Sequence, residues 1–219
     1  MLYIVATPIG NMEDISLRAL RILQEVDIAY CEDTRVTCKL FFKYGIDVPL
    51  KSLHHHSSER VLKIVAKRAA SKEKVAYLSD GGTPGVSDPG ALLVEETLKV
   101  NKNALIVPIP GPSAVTCIAS ICGFPMERFL FLGFPPKKRK RKQFFEEVLG
   151  CRYPVVFYDS PHGIMKSLGE LSSVDGSRSI VVMREATKMH EIIYRGTVES
   201  VMRELEKENI KGEFTIVIR

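Results

Sequence analysis

Hydrophobic positions in the first half of the chain alternate between short continuous runs and helical stripes. Continuous apolar runs predict strands over 2–7, 28–31, 75–78 and 104–109, buried on both faces, and a further strand is expected over 52–56. Apolar residues at helical spacing predict helices over 15–26, 35–44, 59–70 and 92–100. Asp14 or Ser16 is expected to cap the first helix, and Gly45 to end the second. This repeated β-α order predicts a mostly parallel sheet covered by helices.

The second half of the chain has a different pattern. Helices are predicted over 113–121, 164–171 and 199–208, and strands over 129–132, 155–158, 180–183, 191–196 and 214–218. The step from the strand near 180 to the strand near 191 leaves no room for a helix, which favours a mixed sheet. Prolines at 108, 110 and 112 are typical of a hinge. We therefore predict an α/β protein with an N-terminal domain over 1–112 and a C-terminal domain over 113–219.

Composition narrows the class of protein. The chain has 219 residues, of which 45% are hydrophobic and 26% charged, as in an ordinary globular protein. The longest uncharged stretch, 104–126, is broken by prolines, so no membrane-spanning helix is expected. The N-terminus lacks the basic region of a secretory signal. Five cysteines without a Cys-x-x-Cys pair favour reduced thiols and a cytoplasmic location.

Candidate chemistry lies in the loops that follow the predicted strands, because ligands of α/β sheets bind beyond the carboxyl ends of strands. These loops span 7–11, 32–35, 80–90 and 110–114. The loop 80–90 holds four glycines and two prolines, but it matches neither a Walker A loop nor Gly-x-Gly-x-x-Gly. Asp80 and Asp88 suit a cationic or neutral ligand better than a triphosphate. Asp88 is alternatively the N-cap of the following helix, which is the favoured interpretation for that residue alone.

Four segments in the first half carry a family resemblance: Ala6-Thr-Pro-Ile-Gly-Asn11, Glu32-Asp-Thr-Arg35, Ser79-Asp-Gly-Gly-Thr-Pro-Gly-Val-Ser-Asp-Pro-Gly90 and Ile109-Pro-Gly-Pro-Ser-Ala114. The second half continues it with Gly133-Phe-Pro-Pro136, Phe157-Tyr-Asp-Ser-Pro-His162, Arg184-Glu-Ala-Thr-Lys188 and Gly212-Glu-Phe214. In this order and spacing they resemble the tetrapyrrole methylase superfamily and, within it, the small-subunit ribosomal RNA methyltransferase I family. The resemblance implies two α/β domains with the cofactor in the cleft between them, often as a homodimer.

The resemblance also implies a function and a cofactor site. Family members transfer a methyl group from S-adenosylmethionine to the 2′-oxygen of a cytidine of 16S rRNA in the small ribosomal subunit. By position, the residues expected to contact the cofactor are Pro8, Asp80, Gly81, Gly82, Thr83, Val86, Ser113, Ala114, Tyr158, Ala186, Phe214 and Thr215. Family members commonly continue past the last strand with a helical segment, whereas this sequence ends at Arg219. RNA affinity from such a segment is expected to be missing.

A ribose hydroxyl is a weak nucleophile, so a general base would help to remove its proton. The main candidates are Glu32, Asp33 and Glu185, and Lys188 and the histidines at 54–56 are further ones. Arg35 is expected to hold a carboxylate or a phosphate. The acid pair at 32–33 is alternatively a helix N-terminal pair favoured by the helix dipole. Glu185 and Lys188 are alternatively surface ion-pair partners.

Charge is concentrated in one place. The formal net charge is +5, and the run Lys137, Lys138, Arg139, Lys140, Arg141 and Lys142 places six cations in succession. Cations at a helix N-terminus oppose the helix dipole, so a phosphate backbone is a better partner for them than water alone. We expect this run, with Arg35 and Lys188, to bind RNA. The alternative for the run is a solvated helix start.

Three other interpretations are weaker. A metal site at His54-His55-His56 is disfavoured, because no companion ligand lies at suitable spacing, and no metal is expected. The enzyme could instead methylate a sirohaem or corrinoid precursor, whose carboxylates are also anionic. A protein that kept the fold as a silent RNA-binding module would bind no S-adenosylmethionine.

Overall fold

The structure is a computed structural model that describes residues 1–54 and 57–219. The chain forms two compact units, Met1–Ser113 and Ala114–Arg219. Each unit has its own five-stranded sheet, parallel in the first and mixed in the second. The α/β class and the predicted character of both sheets are therefore confirmed. In the described ranges, no helix has both the length and the apolar character needed to cross a membrane.

The first unit alternates strands and helices, with one short 3-10 helix, Met12–Asp14, after the first strand. Its elements are β1 (Leu2–Val5), α1 (Leu17–Glu25), β2 (Ile28–Cys31), α2 (Thr34–Tyr44), β3 (Leu50–Ser52), α3 (Glu59–Ala69), β4 (Val75–Leu78), α4 (Gly90–Val100) and β5 (Ile106–Ile109). The sheet order β3-β2-β4-β1-β5 places β1 and β4 in the centre. Both faces of this sheet are covered, which explains the continuous apolar runs.

Side chains of the first unit define where its helices begin and end. Ser16, rather than Asp14, caps α1, because its Oγ accepts a hydrogen bond from the N–H of Ala19 at 3.1 Å. Gly45 ends α2 in the left-handed conformation, with φ +62°, as predicted. α4 begins at Gly90, two residues before the predicted start, and its N-cap position is Pro89.

One predicted strand was misplaced. The strand expected over 52–56 is β3, Leu50–Ser52. It pairs in parallel with β2, with Ala29 opposite Leu50 and Cys31 opposite Ser52. The ladder ends there because Cys31 is the last residue of β2. The bounds of this strand are set by its pairing with β2.

The second unit contains four helices and five strands in its described residues, which are all of 114–219. They are α5 (Ala114–Ile121), β6 (Leu130–Phe131), α6 (Arg141–Gly150), β7 (Val155–Asp159), α7 (Ile164–Asp175), β8 (Ser179–Arg184), β9 (Ile192–Thr197), α8 (Val198–Leu205) and β10 (Phe214–Ile218). The sheet order is β6-β7-β10-β8-β9. Only β6 and β7 are parallel; β10 is antiparallel to both neighbours, and β8 and β9 form the predicted step without a helix.

Aromatic rings fill much of the second core. Phe144 and Phe145 of α6 contact Phe157 of β7 edge-on, with ring centroids 5.8 and 6.2 Å apart. Val148 extends this buried face by one further helical turn. The helix thus presents positions 144, 145 and 148 to the core, which is the spacing of one helical face.

Candidate functional site

Four loops lie side by side at one edge of the first sheet. Their strands follow the order β2-β4-β1-β5, and all of these strands are parallel. Their carboxyl ends therefore meet at the same edge, which brings together the loops 6–11, 32–35, 79–90 and 110–113. The sequence indicates these loops one by one, and the sheet order makes them neighbours.

Reciprocal hydrogen bonds join the loops after β1 and β4. The N–H groups of Thr7 and Gly82 each donate to the other residue's carbonyl at 3.0 Å. Two hydroxyls support this bridge, because Thr7 donates to the carbonyl of Ser79 at 3.0 Å and Ser79 donates to that of Gly82 at 2.8 Å. Gly82 has φ +92°, and a Cβ there would lie 3.3 Å from Cγ2 of Ile9. The glycine is required by both its backbone conformation and the space available.

The loop after β5 is joined to the same framework. The hydroxyl of Thr83 donates to the carbonyl of Pro112 at 3.1 Å. A Cβ on Gly111 would lie 2.9 Å from the Cβ of Ala6, so the end of β5 approaches that of β1 closely. Pro8 lies beside Gly81, where a Cβ would be 3.5 Å from the proline carbonyl oxygen. The backbone of the three loops is thus held in one arrangement.

Acidic groups connect the loops after β2 and β4. The carboxylate of Asp80 accepts a hydrogen bond from the N–H of Asp33 at 2.9 Å. Burial raises the pKa of Asp80, the hydrogen bond from Asp33 lowers it, and the charges of Asp33 and Asp88 raise it further, with a net upward shift. A cationic ligand near Asp80 would favour the ionised carboxylate and so lower its pKa. The position of Asp80 therefore suits a cationic ligand.

Asp33 is held by its neighbour Arg35. The guanidinium Nε of Arg35 lies 3.0 and 3.1 Å from the two carboxylate oxygens, and its backbone N–H donates to Oδ1 at 2.8 Å. The side-chain hydrogen bond from Arg35 is the main reason that the pKa of Asp33 falls to about 2. Asp33 is also the N-cap of α2, which agrees with the structural alternative for this acid.

Asp88 is not the N-cap of α4, contrary to the favoured prediction. Its carboxylate accepts hydrogen bonds from the N–H of Gly85 at 2.9 Å and from that of Gly90 at 2.6 Å. Pro89 occupies the cap position without a side-chain bond. Asp88 therefore closes the glycine-rich loop onto the first residue of the helix. The predicted cap required a helix from Pro89 onward, whereas the helix begins one residue later, at Gly90, so the N-cap position falls on Pro89.

The remaining predicted residues of the first unit lie in the same loops. Glu32 and Val86 are half-buried, and the carbonyl of Glu32 accepts a hydrogen bond from Ser52 at 3.0 Å. Ser113 is half-buried at the end of the unit. The first unit thus collects Pro8, Glu32, Asp33, Arg35, Asp80, Gly81, Gly82, Thr83, Val86 and Ser113 at one sheet edge.

In the second unit, Glu185 and Lys188 belong to one ion-pair cluster. Nζ of Lys188 lies 2.8 Å from Glu185 and 3.0 Å from Glu213, and Glu185 also accepts the backbone N–H of Glu213 at 3.0 Å. Burial opposes ionisation of Glu185, but these hydrogen bonds outweigh it and lower its pKa. Burial likewise disfavours charged Lys188, and its two carboxylate partners reverse this and raise its pKa. These contacts agree with the alternative interpretation, in which Glu185 and Lys188 are ion-pair partners.

The backbone around this cluster is strained. Glu185 and Thr187 have φ +53° and +61°, values that residues with a Cβ rarely adopt. The N–H of Lys188 donates to the carbonyl of Glu185 at 3.0 Å, and the N–H of Thr187 donates to the carboxylate of Glu191 at 2.6 Å. Strain of this kind is common at functional sites and needs surrounding structure to hold it. Ala186 lies between the two strained residues.

The other predicted cofactor residues of the second unit lie on its sheet or its first helix. Tyr158 of β7 lies opposite Thr215 of β10, so the two side chains share one face. Burial raises the pKa of Tyr158 to about 12. Phe214 is buried at the start of β10, below the guanidinium of Arg184. Ala114 is the half-buried first residue of α5.

The cationic run divides into two parts. Lys137, Lys138, Arg139 and Lys140 are exposed and precede α6, with Lys140 at its N-cap position. Lys142 is 91% exposed and lies 3.6 Å from Glu146. The run therefore lies mostly in the loop before α6, and only its last two residues are in the helix.

Arg141 differs from its neighbours, because it is only 7% exposed. Its guanidinium donates to Glu170 at 2.7 Å, to Ser167 at 2.7 Å and to the carbonyl of Pro136 at 3.3 Å. These bonds hold its charge inside the unit, so Arg141 does not fit the predicted role of an RNA contact. The sequence indicates the burial of Arg141, because position 141 shares one helical face with the core positions 144, 145 and 148.

Asp159 is a buried acid that sequence analysis missed. Its carboxylate accepts hydrogen bonds from the hydroxyl of Ser167 and from the N–H of Ser160, and Ser167 accepts from Arg141. Burial raises the pKa of Asp159, and its hydrogen bonds and Arg141 oppose this. The quoted segment Phe157-Tyr-Asp-Ser-Pro-His162 contained the residue, but nothing in it indicated the partner on α7.

Within the described residues, no group of three or more histidines, cysteines and acids is arranged to hold a metal ion. His55 and His56 of the histidine run lie outside the described residues. His54 follows the end of β3, so it lies outside the strand that the sequence predicted over 52–56.

Comparisons with known proteins agree with this architecture. Residues 1–202 match the family of Tetrapyrrole (Corrin/Porphyrin) Methylases. Ribosomal RNA small subunit methyltransferase I of Thermotoga maritima is 39% identical over 217 residues, which cover 99% of this chain and 97% of that protein. The protein of the same name from Bacillus subtilis is 36% identical over 219 residues, covering 100% of this chain and 74% of its own length.

Solved structures share the fold at low identity. Diphthine synthase has a TM-score of 0.76 at 16% identity, covering 99% of this chain and 89% of that chain. The cobalt precorrin-4 methyltransferase CbiF has a TM-score of 0.69 at 17% identity, covering 99% and 93%. Fold and sequence together define a methyltransferase. The chain belongs to the tetrapyrrole methylase family and, within it, to the ribosomal RNA small subunit methyltransferase I family.

Proposed function

We propose that this chain transfers a methyl group from S-adenosylmethionine to the 2′-oxygen of a cytidine in 16S rRNA of the small ribosomal subunit. The observation that carries this proposal is the near-full-length similarity, at 36–39% identity, to relatives named ribosomal RNA small subunit methyltransferase I. The exposed cations of the second unit supply a surface of the required charge. The cytidine and the 2′-oxygen come from the family resemblance.

The loops of the first unit suit S-adenosylmethionine, which carries a sulfonium and an ammonium group. The loops at 7–11, 32–35, 80–90 and 110–113 contain four carboxylates, of Glu32, Asp33, Asp80 and Asp88, against one cation, Arg35. Gly81 and Gly82 follow Asp80, and because they have no side chains a ligand can approach their backbone N–H and carbonyl groups. The chemistry of this donor set fits the cofactor. Pro8, Thr83, Val86 and Ser113 would line the same edge.

The bound cofactor supplies an activated methyl group, so the protein has to position the ribose oxygen and accept its proton. Asp33 is a weak base near neutral pH, because Arg35 holds its pKa at about 2. Glu185 also has a lowered pKa and is bonded to Lys188. We therefore propose that Asp33 and Glu185 each position groups within their own unit, and Glu32 stays a candidate for the base. Ala114, Tyr158, Ala186, Phe214 and Thr215 stay predicted cofactor contacts.

RNA binding is assigned to the exposed cations. In the described part of the chain, Lys137, Lys138, Arg139 and Lys140 form no ion pair, and Lys142 forms one at 3.6 Å. Uncompensated cations on one short segment attract the phosphate backbone. Arg35 and Lys188 stay secondary candidates, because both are paired with acids. Arg141 is left out because it is buried.

The experiment offers labelled S-adenosylmethionine with small ribosomal subunits, naked 16S rRNA or a sirohaem precursor. Label in RNA is expected, and the modified nucleotide should resist alkaline cleavage at its 3′ side, since a methylated 2′-oxygen cannot attack the phosphate. Label in neither RNA would overturn the proposal. Label in the tetrapyrrole would support the alternative of a sirohaem or corrinoid methyltransferase.

A homodimer remains a proposal from the family resemblance, and a cytoplasmic location remains one from the cysteine content. Light scattering of the purified chain tests the first, and a mass of one chain at micromolar concentration would contradict it. Fractionation of the source cells tests the second.

A further inference from the structure

One exposed aromatic ring lies next to the cationic segment. Phe134 is 57% exposed, and its ring is 5.3 Å from that of Tyr158, at an interplanar angle of 56°. Tyr158 in turn contacts Phe131 of β6 edge-on at 5.0 Å. The ring of Phe134 is therefore supported from within the unit, while more than half of the residue stays accessible.

The backbone holds this ring in place on both sides. The carbonyl of Gly133 accepts a hydrogen bond from the N–H of Tyr158 at 2.9 Å, and Gly133 turns the chain with φ +65°. Phe134 precedes the buried Pro135, which restricts its backbone to extended conformations. Pro136 is held through its carbonyl by Arg141. An aromatic side chain on such a restrained segment loses little conformational freedom when a ligand stacks on it.

The position of the ring relative to charge indicates what that ligand is. Lys137 follows Phe134 by three residues, so their backbones lie within about 10 Å. Proteins that bind single-stranded nucleic acid combine cations along the backbone with aromatic rings on which bases stack. Sequence-specific recognition of RNA also uses unpaired bases, which duplex RNA does not offer.

We propose that Phe134, supported by Tyr158, is a stacking platform for an unpaired base of the RNA, next to phosphates bound by Lys137–Lys140. This inference rests on the proposed function, because it names a recognition element for the same substrate. It assigns binding energy to an uncharged residue that the charge pattern of the sequence did not select.

Titration of a fluorescently labelled single-stranded RNA, with a hairpin RNA of the same composition in parallel, tests the inference. Phe134→Ala and Phe134→Leu are expected to weaken single-strand binding about 10-fold, the size of one lost base–aromatic stack, and to affect the hairpin stem much less. Phe134→Trp should bind at least as tightly as the wild type. The salt dependence of binding should not change, because no charge is removed.

A spectroscopic readout separates stacking from packing. The chain contains no tryptophan, so Phe134→Trp introduces a single fluorophore. Its emission should be quenched when single-stranded RNA binds. Phe42→Trp places the same fluorophore at another exposed phenylalanine, in α2 of the first unit, and should be quenched far less.

The outcomes distinguish this inference from the proposed function. Wild-type affinity for single-stranded RNA in Phe134→Leu, or equal quenching of the two tryptophans, would overturn the stacking role while methyl transfer to 16S rRNA still stands. A wild-type protein that neither binds nor methylates RNA would overturn both. Urea unfolding of each variant, expected to match the wild type, shows that the fold is intact.

Discussion

The α-carbon of Gly212 lies directly against the carboxylate of Glu185, where a Cβ at position 212 would overlap the Cγ and Cδ atoms of the glutamate. Gly212 also has φ +89°, a conformation that a residue with a Cβ rarely adopts. The next residue, Glu213, donates its N–H to the same carboxylate at 3.0 Å. The glycine therefore permits the hydrogen bond that fixes Glu185.

Gly212→Ala is expected to destabilise the second unit by about 2–3 kcal/mol, because the change adds backbone strain and a clash with Glu185. Urea unfolding followed by circular dichroism measures this. Gly123→Ala is the matched control, since Gly123 has φ +75° with no atom within 4 Å of its added Cβ, and it should cost about 1 kcal/mol. Equal losses for the two variants would show that the contact with Glu185 contributes nothing.

Most of the fold was predictable because the hydrophobic pattern reports burial directly. The strands at 28–31 and 75–78 were placed to the residue, since strands covered on both faces read as continuous apolar runs. β3 was misplaced because it is an exposed edge strand, whose bounds depend on its pairing with β2. The local sequence of an exposed strand does not determine that register.

The candidate site was predictable in part, for a related reason. The glycines and acids that follow the parallel strands lie together in the structure, because parallel strands end at one edge. Arg141 was grouped with its exposed neighbours, because a charge pattern does not say which cation is buried. Asp159 is bonded to Ser167 of α7, and Ser167 is bonded to Arg141 of α6, so only the folded chain reveals that network.

Gly82→Ala should impair cofactor binding more than it impairs folding. The change forces a residue with a Cβ into φ +92° and places that Cβ 3.3 Å from Ile9, which shifts the bridge between Gly82 and Thr7. We expect at least a 10-fold rise in the Kd for S-adenosylmethionine, measured by calorimetry. Gly45→Ala, with φ +62° and open space, should lose about 1 kcal/mol of stability and keep the wild-type Kd. An unchanged Kd in Gly82→Ala would refute the assignment of this loop.

Asp33 should remain ionised to unusually low pH. Its folded pKa is about 2, against an ordinary value of 3.8, mainly because of the hydrogen bond from Arg35. The depressed pKa means that the interaction is fully present above pH 3.8 and is lost as pH falls from there through about 2.

Carboxyl carbon NMR of Asp33 at pH 3 tests this shift. Wild-type Asp33 should be mostly ionised there, and Arg35→Gln should raise its protonated fraction, because the guanidinium is lost while the backbone hydrogen bond from position 35 remains. Lys39→Gln is the control, because Lys39 acts on Asp33 only as a minor coulombic neighbour. If Arg35→Gln leaves the protonated fraction of Asp33 at pH 3 unchanged, the guanidinium is not the cause of the shift.

The neighbouring cations Arg141 and Lys142 should contribute very differently to stability. Arg141→Leu leaves Glu170 and Ser167 without their shared partner and removes a cation near Asp159, and we expect a loss of about 3 kcal/mol. This lies at the low end for a broken buried ion pair, because the Glu170 side chain is 35% exposed. Lys142→Gln should change stability by less than about 0.5 kcal/mol, since its pair with Glu146 is exposed. Chemical unfolding compares them, and a stable Arg141→Leu variant would contradict the anchoring role of Arg141.

The salt dependence of RNA binding tests whether the exposed cations contact phosphates. Replacing Lys137, Lys138, Arg139, Lys140 and Lys142 with glutamine should lower the slope of log K against log salt by up to about 3.5, at about 0.7 per phosphate contact on a single strand. Arg141 is kept, so the fold and the affinity for S-adenosylmethionine should persist.

The matched control for this variant removes cations from another surface. Arg60, Lys63 and Lys67 of α3 line a shallow hollow of about 500 Å³ in the first unit, and their replacement with glutamine should leave the slope unchanged. A slope that falls equally per charge in both variants would mean that binding follows net charge alone. Each cation that neutralises a phosphate releases a counterion, and the slope counts these released ions. If the five replacements leave the slope unchanged, the segment before α6 does not contact phosphates of the RNA.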